Sequence, residues 1–200
     1  MPDAWTGRGW STSGWARDAH VRRVRERAIR YAVNGWPVAP LAVPQHGVCL
    51  CLRGDCVDPH LVGGVVRQGF QADAVWSEHP WGIALVTEGF DVVDIPPEFG
   101  ALLNQHLKTT CPTAMAPARR RWWFFLVPGS IPAGQVAAAG GVLHSGVDDW
   151  VPAPGTNSET TGRVRWLVQP HLTSWQPYRR RDPIDLVFPS LTGAVGRAER

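Results

Sequence analysis

Three thiols and an imidazole, Cys49, Cys51, Cys56 and His60, lie close together in the stretch GVCLCLRGDCVDPH. Thiolate sulfurs and imidazole nitrogens are the donors that close a tetrahedral zinc site, and the Arg53-Gly54-Asp55 turn supplies the glycine that such a knuckle needs. The C-x-C-x4-C-x3-H spacing therefore reads as structural zinc on Cys49, Cys51, Cys56 and His60, with unligated or redox-active thiols as the alternative. The fourth cysteine, Cys111, is isolated between Thr110 and Pro112 and reads as a small buried residue. A second kind of chemistry is offered by Asp94, at the end of an apolar strand in WGIALVTEGFDVVDIPP. Strand ends hold a reactive group rigidly while the following loop leaves it reachable. Two carboxylates on one strand share a face only when two residues apart, and the residue two beyond Asp94 is Pro96.

The third resource is arginine. The net charge of +3 is carried almost wholly by it, since Lys108 is the single lysine. A preference for Arg, Ala, Gly, Pro and Trp also suits a high-GC coding sequence, so clustering carries more information than number. Arg22 and Arg23 begin a basic face that continues through Arg25, Arg27 and Arg30; Arg119, Arg120 and Arg121 form a triplet; Arg163 and Arg165 alternate on one strand face. Such clusters can track a phosphate backbone, and the alternative is a solvated surface.

The elements that must position these groups are readable from periodicity. Asp18 to Asn34 has helical spacing and stops at Asn34-Gly35. Trp36 to Leu41 reads as a strand whose prolines suggest a sheet edge. Gln71 to Glu78 reads as a short helix with Val75 and Trp76 inward. Residues 81–97 read as a hairpin turning at Thr87-Glu88-Gly89, followed by a helix from Pro97 to Thr109 with Phe99, Leu102, Leu103, His106 and Leu107 on one face. Trp122 to Val127 is apolar on both faces and so reads as a central strand. Pro132 to Ala139 reads as a short helix, residues 142–144, 150–152 and 163–168 as strands, and the remainder as peripheral. Residues 1–17, with Trp5, Trp10 and Trp15, read as a flexible arm able to dock on a partner; 18–188 as one α+β domain with a Cys-rich knuckle; 189–200 as a disordered tail. No apolar run reaches the ~18 residues of a membrane span, and the N-terminus lacks an apolar signal region, so a cytoplasmic protein without membrane association is expected.

The order of these pieces resembles the N-terminal primase-polymerase (Prim-Pol) domain of actinobacterial, phage and plasmid replication proteins, over roughly residues 20–170. The correspondence runs through the GWPVAPL strand, the Cys-rich loop, GIAL-V-T-G into VVD, the aromatic strand, and WVPAPGT followed by G-R-V-R-W. The resemblance implies an archaeo-eukaryotic primase-like fold with an RRM-like sheet and nucleotide joining by two metal ions, magnesium or manganese, held by carboxylates. The family hairpin ends V-V-D-x-D, which is Val92-Val93-Asp94-Ile95-Pro96 here, so Asp94 remains and its companion is proline. The family's phosphate-binding histidine precedes the aromatic strand, where this chain has Ala118-Arg119-Arg120-Arg121. A further family aspartate falls near Val142 to His144, with Asp148 and Asp149 close by. The Cys-rich loop matches the family's C-x-C...C...P-x-H pattern at Cys49, Cys51, Cys56, Pro59 and His60. The expectation is a catalytically degenerate Prim-Pol-like domain, with Asp94 a remnant of the site, that binds DNA or regulates. An active metal-dependent primase-polymerase and a protein-interaction subunit using the Trp-rich arm are the alternatives.

Overall fold

The computed structural model describes residues 12–44, 49, 51, 56–158, 161–180 and 182–188; the expected tail and the arm up to residue 11 lie outside them. Helix α1 (Thr12–Val33) starts six residues before the expected Asp18. It buries Val24, Ala28, Tyr31 and Ala32, the stripe that its 3.6-residue period dictates. The chain leaves it through Gly35 at φ +78°, a conformation that glycine adopts without a Cβ penalty.

Strands β1 (Val38–Ala42), β2 (His60–Leu61), β3 (Gly82–Val86) and β8 (Trp150–Pro152) form one sheet in the order β2-β1-β3-β8. A second sheet has the order β11-β5-β6-β4-β7, from β4 (Asp91–Ile95), β5 (Thr113–Ala116), β6 (Arg121–Leu126), β7 (Val142–His144) and β11 (Arg165–Val168). Every pairing in both sheets is antiparallel. A small ribbon of β9 (Asn157–Ser158) and β10 (Gly162–Arg163) adjoins them. The chain is thus a mixed α+β protein, with α2 (Gly69–Glu78), α3 (Pro97–Leu107), α4 (Ala133–Ala138), α5 (Asp182–Val187) and a 3-10 turn at Pro170–Thr173 completing the described elements.

The expected 81–97 hairpin is corrected. β3 and β4 lie in different sheets, β3 between β1 and β8 and β4 between β6 and β7. Both strands are almost wholly buried, so each gains more from two flanking strands than from its sequence neighbour, and residues 87–90 carry the chain between sheets. β1 is likewise no edge: β3 pairs on one side and short β2 on the other, while the Pro40 carbonyl accepts from Val62 N–H at 3.0 Å. β6 is central, as its two apolar faces require.

Alternation along the strands partitions the core. Val92, Trp123, Phe125, Ala114 and Ala116 face α1, α2 and the inner face of the first sheet. Val93, Ile95, Phe124 and Leu126 face α3, α4 and the C-terminal segment. Tyr178, Ile184, Val187 and Phe188 belong to that second core, so these four residues are not peripheral; DPIDLV is simply too short for its period to register. His106 is exposed rather than buried, because the stripe that α3 turns inward is Gly100, Leu103 and Leu107. No helix among the described residues is long and apolar enough to cross a membrane.

Two glycines test this packing. A Cβ on Gly100 would lie 2.4 Å from Cγ of Trp122, whereas one on Gly134 meets nothing within 4 Å. Gly100→Ala should cost about 1–3 kcal/mol by overpacking, and Gly134→Ala should be neutral or stabilising by up to about 1 kcal/mol. Urea unfolding of the two variants checks the pair; a neutral Gly100→Ala would show that the α3–β6 contact is loose.

Candidate functional site

The Cys/His group sits at the base of the loop joining β1 to β2. Among the described residues it is the group of three or more His, Cys, Asp or Glu able to hold a metal ion, with all four donor atoms within 4.8 Å of one another. Cys51 Sγ lies 3.2 Å from Cys56 Sγ, and Cys56 Sγ lies 3.7 Å from His60 Nε2. Zinc–sulfur bonds of about 2.3 Å in a tetrahedron imply donor separations of roughly 3.8 Å, so these atoms need only small shifts to close on an ion. His60 Nδ1 is 3.0 Å from the Asp58 carbonyl, which accepts its N–H and turns Nε2 toward the thiols as the coordinating nitrogen. The neighbouring Cys51 thiol, burial and Cys49 push the Cys56 thiol up to about 12. Crowded thiols resist deprotonation, and a dication supplies the missing charge. Cys111, by contrast, is fully buried in the second core, where burial pushes its thiol up to about 12.

Asp94 lies on the first-core face of β4, opposite Trp123 on β6 and Val142 on β7. Arg121 Nε donates to its carboxylate at 2.5 Å, and the same guanidinium donates to the Asp94 carbonyl at 2.8 Å and the Gly140 carbonyl at 3.0 Å. Both side chains are largely buried, so the pair is held in a low-dielectric setting where loss of either partner leaves an uncompensated charge. The second carboxylate oxygen faces His144 Nε2 at 3.9 Å, and His144 Nδ1 is 3.1 Å from Asp149. Asp149 thus reaches His144 instead of joining Asp94. Beside them, the Trp123 indole N–H is buried without a hydrogen-bond partner among the described residues. Buried Asp91 accepts from Ser145 Oγ at 2.6 Å and Gly129 N–H at 2.7 Å, tying the β7–β8 turn to the sheet.

The nominated arginines separate into three settings. Arg22 and Arg23 are exposed on α1. Of the triplet, Arg119 and Arg120 are exposed in the β5–β6 turn while Arg121 is turned inward onto Asp94. Arg163 and Arg165 meet Arg27 and Arg30 of α1 in a cleft of about 250 Å³, with Trp166 and Trp175 in its walls. Arg27 and Arg30 were visible in the sequence as part of the basic face; that they, rather than Arg22 and Arg23, join the β-strand arginines depends on how α1 docks. His144 had no motif to mark it, since its partners come from a neighbouring strand and a later turn.

No family model, no curated protein and no solved structure matches this chain. Its residues must therefore carry the functional reading by themselves.

Burial disfavours protonation of His144, but its bonds to Asp94 and Asp149 outweigh that and hold its pKa above the ordinary 6.5. A raised folded-state pKa gives stability that is complete below the unfolded value and is lost as pH rises through the folded one. Urea unfolding should therefore show the wild type losing stability relative to His144→Gln as pH rises upward from 6.5; parallel profiles would mean that folding leaves the pKa of this histidine unchanged.

Proposed function

We propose that this chain is a Prim-Pol-like domain whose catalytic apparatus is degenerate and which serves as a nucleic-acid-binding or regulatory module in the cytoplasm, with DNA as the expected partner. The observation that carries the reading is the closure of Asp94 by Arg121. Two-metal nucleotidyl transfer requires carboxylates that face the ions directly, and here a guanidinium occupies that position. Pro96 removes the companion acid of the Prim-Pol pattern, and Asp149 is engaged with His144. The basic residues at Arg119, Arg120, Arg163 and Arg165 remain exposed, as a phosphate-binding surface requires.

In a polymerase assay with magnesium or manganese, the expected result is no dNTP incorporation above background. Incorporation that disappears in Asp94→Ala would overturn the degenerate reading and restore the active enzyme as the answer.

Zinc is the metal proposed for Cys49, Cys51, Cys56 and His60, because three thiolates and an imidazole suit its preference for sulfur and nitrogen in a closed tetrahedron. It would play a structural part there, clamping the β1–β2 loop. Elemental analysis should give about one zinc per chain, lost in Cys56→Ser. The same variant should be cleaved faster by protease within residues 43–59 while the thermal transition of the body changes little. A zinc-free wild type with that loop already resistant would remove the metal from the proposal.

A further inference from the structure

The cleft between α1 and the β10–β11 segment is built from groups that neither the metal cluster nor the Asp94 cluster uses. Arg27 and Arg30 come from one helix face, Arg163 and Arg165 from the strand segment that passes it. Among the described residues none of these four guanidinium groups is paired with a carboxylate; the side-chain bond recorded for Arg165 is to Met115 Sδ, at 3.6 Å. By comparison, Arg25 on the neighbouring face of α1 is paired with Asp73, and Arg67 with Glu88. Four converging positive charges without internal compensation repel one another, a cost that an external anion relieves.

The walls of the cleft are aromatic and are held in place from behind. Trp166 donates from Nε1 to the Tyr31 hydroxyl at 3.0 Å, and burial pushes that hydroxyl up to about 12, which keeps it neutral. Trp175 stands edge-on to Tyr31 at 6.1 Å and to Trp36 at 6.2 Å, and its carbonyl accepts from Trp36 Nε1 at 2.8 Å. Ser174 and Trp175 have φ values of +53° and +61° in succession. Non-glycine residues in that region store strain that surrounding contacts must overcome, and such strain gathers at ligand sites. Gln169 and His171, both exposed, add hydrogen-bonding groups at the mouth. Gly155, at φ +102°, brings its backbone against the Arg27 guanidinium, where a Cβ would lie 2.1 Å from a guanidinium nitrogen.

Guanidinium groups that recognise phosphate, beside partly exposed indole surfaces that accept a stacked base, form the combination that binds single-stranded nucleic acid. A duplex keeps its bases stacked internally and offers such a cleft only phosphates. We propose that this cleft is a subsite for single-stranded nucleic acid, with Arg27, Arg30, Arg163 and Arg165 on the phosphates and Trp166 or Trp175 against a base. The proposal rests on the nucleic-acid reading above and sharpens it to a strand type and a location.

The test is fluorescence anisotropy of labelled oligo-dT on the full chain across a salt series. It compares wild type, Arg163→Gln/Arg165→Gln, and Arg67→Gln/Lys108→Gln as a charge-matched variant at exposed positions outside the cleft and outside every basic cluster. Circular dichroism of each variant confirms folding, and both cleft substitutions are at exposed positions. Wild type should prefer the single strand to a duplex of the same length and to charge-matched heparin. The cleft variant should flatten the slope of log affinity against log salt by about 1.4, or about 0.7 for each phosphate contact removed, and the Arg67/Lys108 variant should leave it unchanged. Wild type that binds oligo-dT while the cleft variant binds it equally well overturns the subsite and leaves the nucleic-acid reading standing. Equal affinity for heparin or duplex overturns the base-stacking part of the subsite. Wild type that binds no nucleic acid at low salt overturns the subsite and the broader reading together.

Discussion

The burial of Trp36 is the constraint on which the two sheets depend. Its indole lies 4.6 Å from Phe90 and 5.2 Å from Phe125 between ring centres, so it touches the crossover between sheets and the central strand of the second sheet at once. A tryptophan can be buried this deeply only if its N–H finds an acceptor, and the Trp175 carbonyl provides it. One side chain therefore fixes three things: the seat of α1 through Tyr31, the approach of the two sheets, and the position of the C-terminal turn that carries Trp175. The cleft is shaped by the same packing that holds the body together.

The second organising interaction is electrostatic and internal. Asp94 begins as a strand-end carboxylate of the kind that serves chemistry, but Arg121 binds it through side chain and backbone together. The same guanidinium also caps the Gly140 carbonyl, so it joins β4, β6 and the end of α4. An acid placed this way contributes to stability through a satisfied buried pair, and its negative charge is neutralised before any ligand arrives. His144 and Asp149 extend the chain of partners to the β7–β8 turn, making this edge of the sheet sensitive to proton concentration through residues that lie far apart in sequence.

What could be read from sequence followed the range of the interaction. Helices α1, α2 and α3, the central strand β6 and the convergence of the four Cys/His donors were legible because periodicity and spacing are local signals. The 81–97 segment was read correctly as two strands and incorrectly as a hairpin, since alternation says which faces are buried but not which strand lies alongside. β5, TAMA, was missed because its alanines have weak strand preference; Trp122, Trp123 and Phe124, which lie opposite it on β6, supply the bulk that it lacks. The Arg121–Asp94 bond spans strands that are adjacent only in the sheet, and the cleft joins α1 to segments more than a hundred residues later. Such pairings leave no mark on a single sequence.

The smallness of β2 has a consequence for how the protein could fail. Only His60 and Leu61 pair with β1 in this strand, supported by backbone bonds between Val38 and Val66 and between Val62 and Pro40. Among the described residues, these few contacts cover the outer backbone edge of a strand whose side chains are fully buried. His60 is at once a rung of that cover and a donor of the Cys/His group. An ion held there would guard a sheet edge, so that its departure would bare a row of unpaired amides and carbonyls to other chains. Self-association through β1, with the interior still folded, is the form of damage that this arrangement invites.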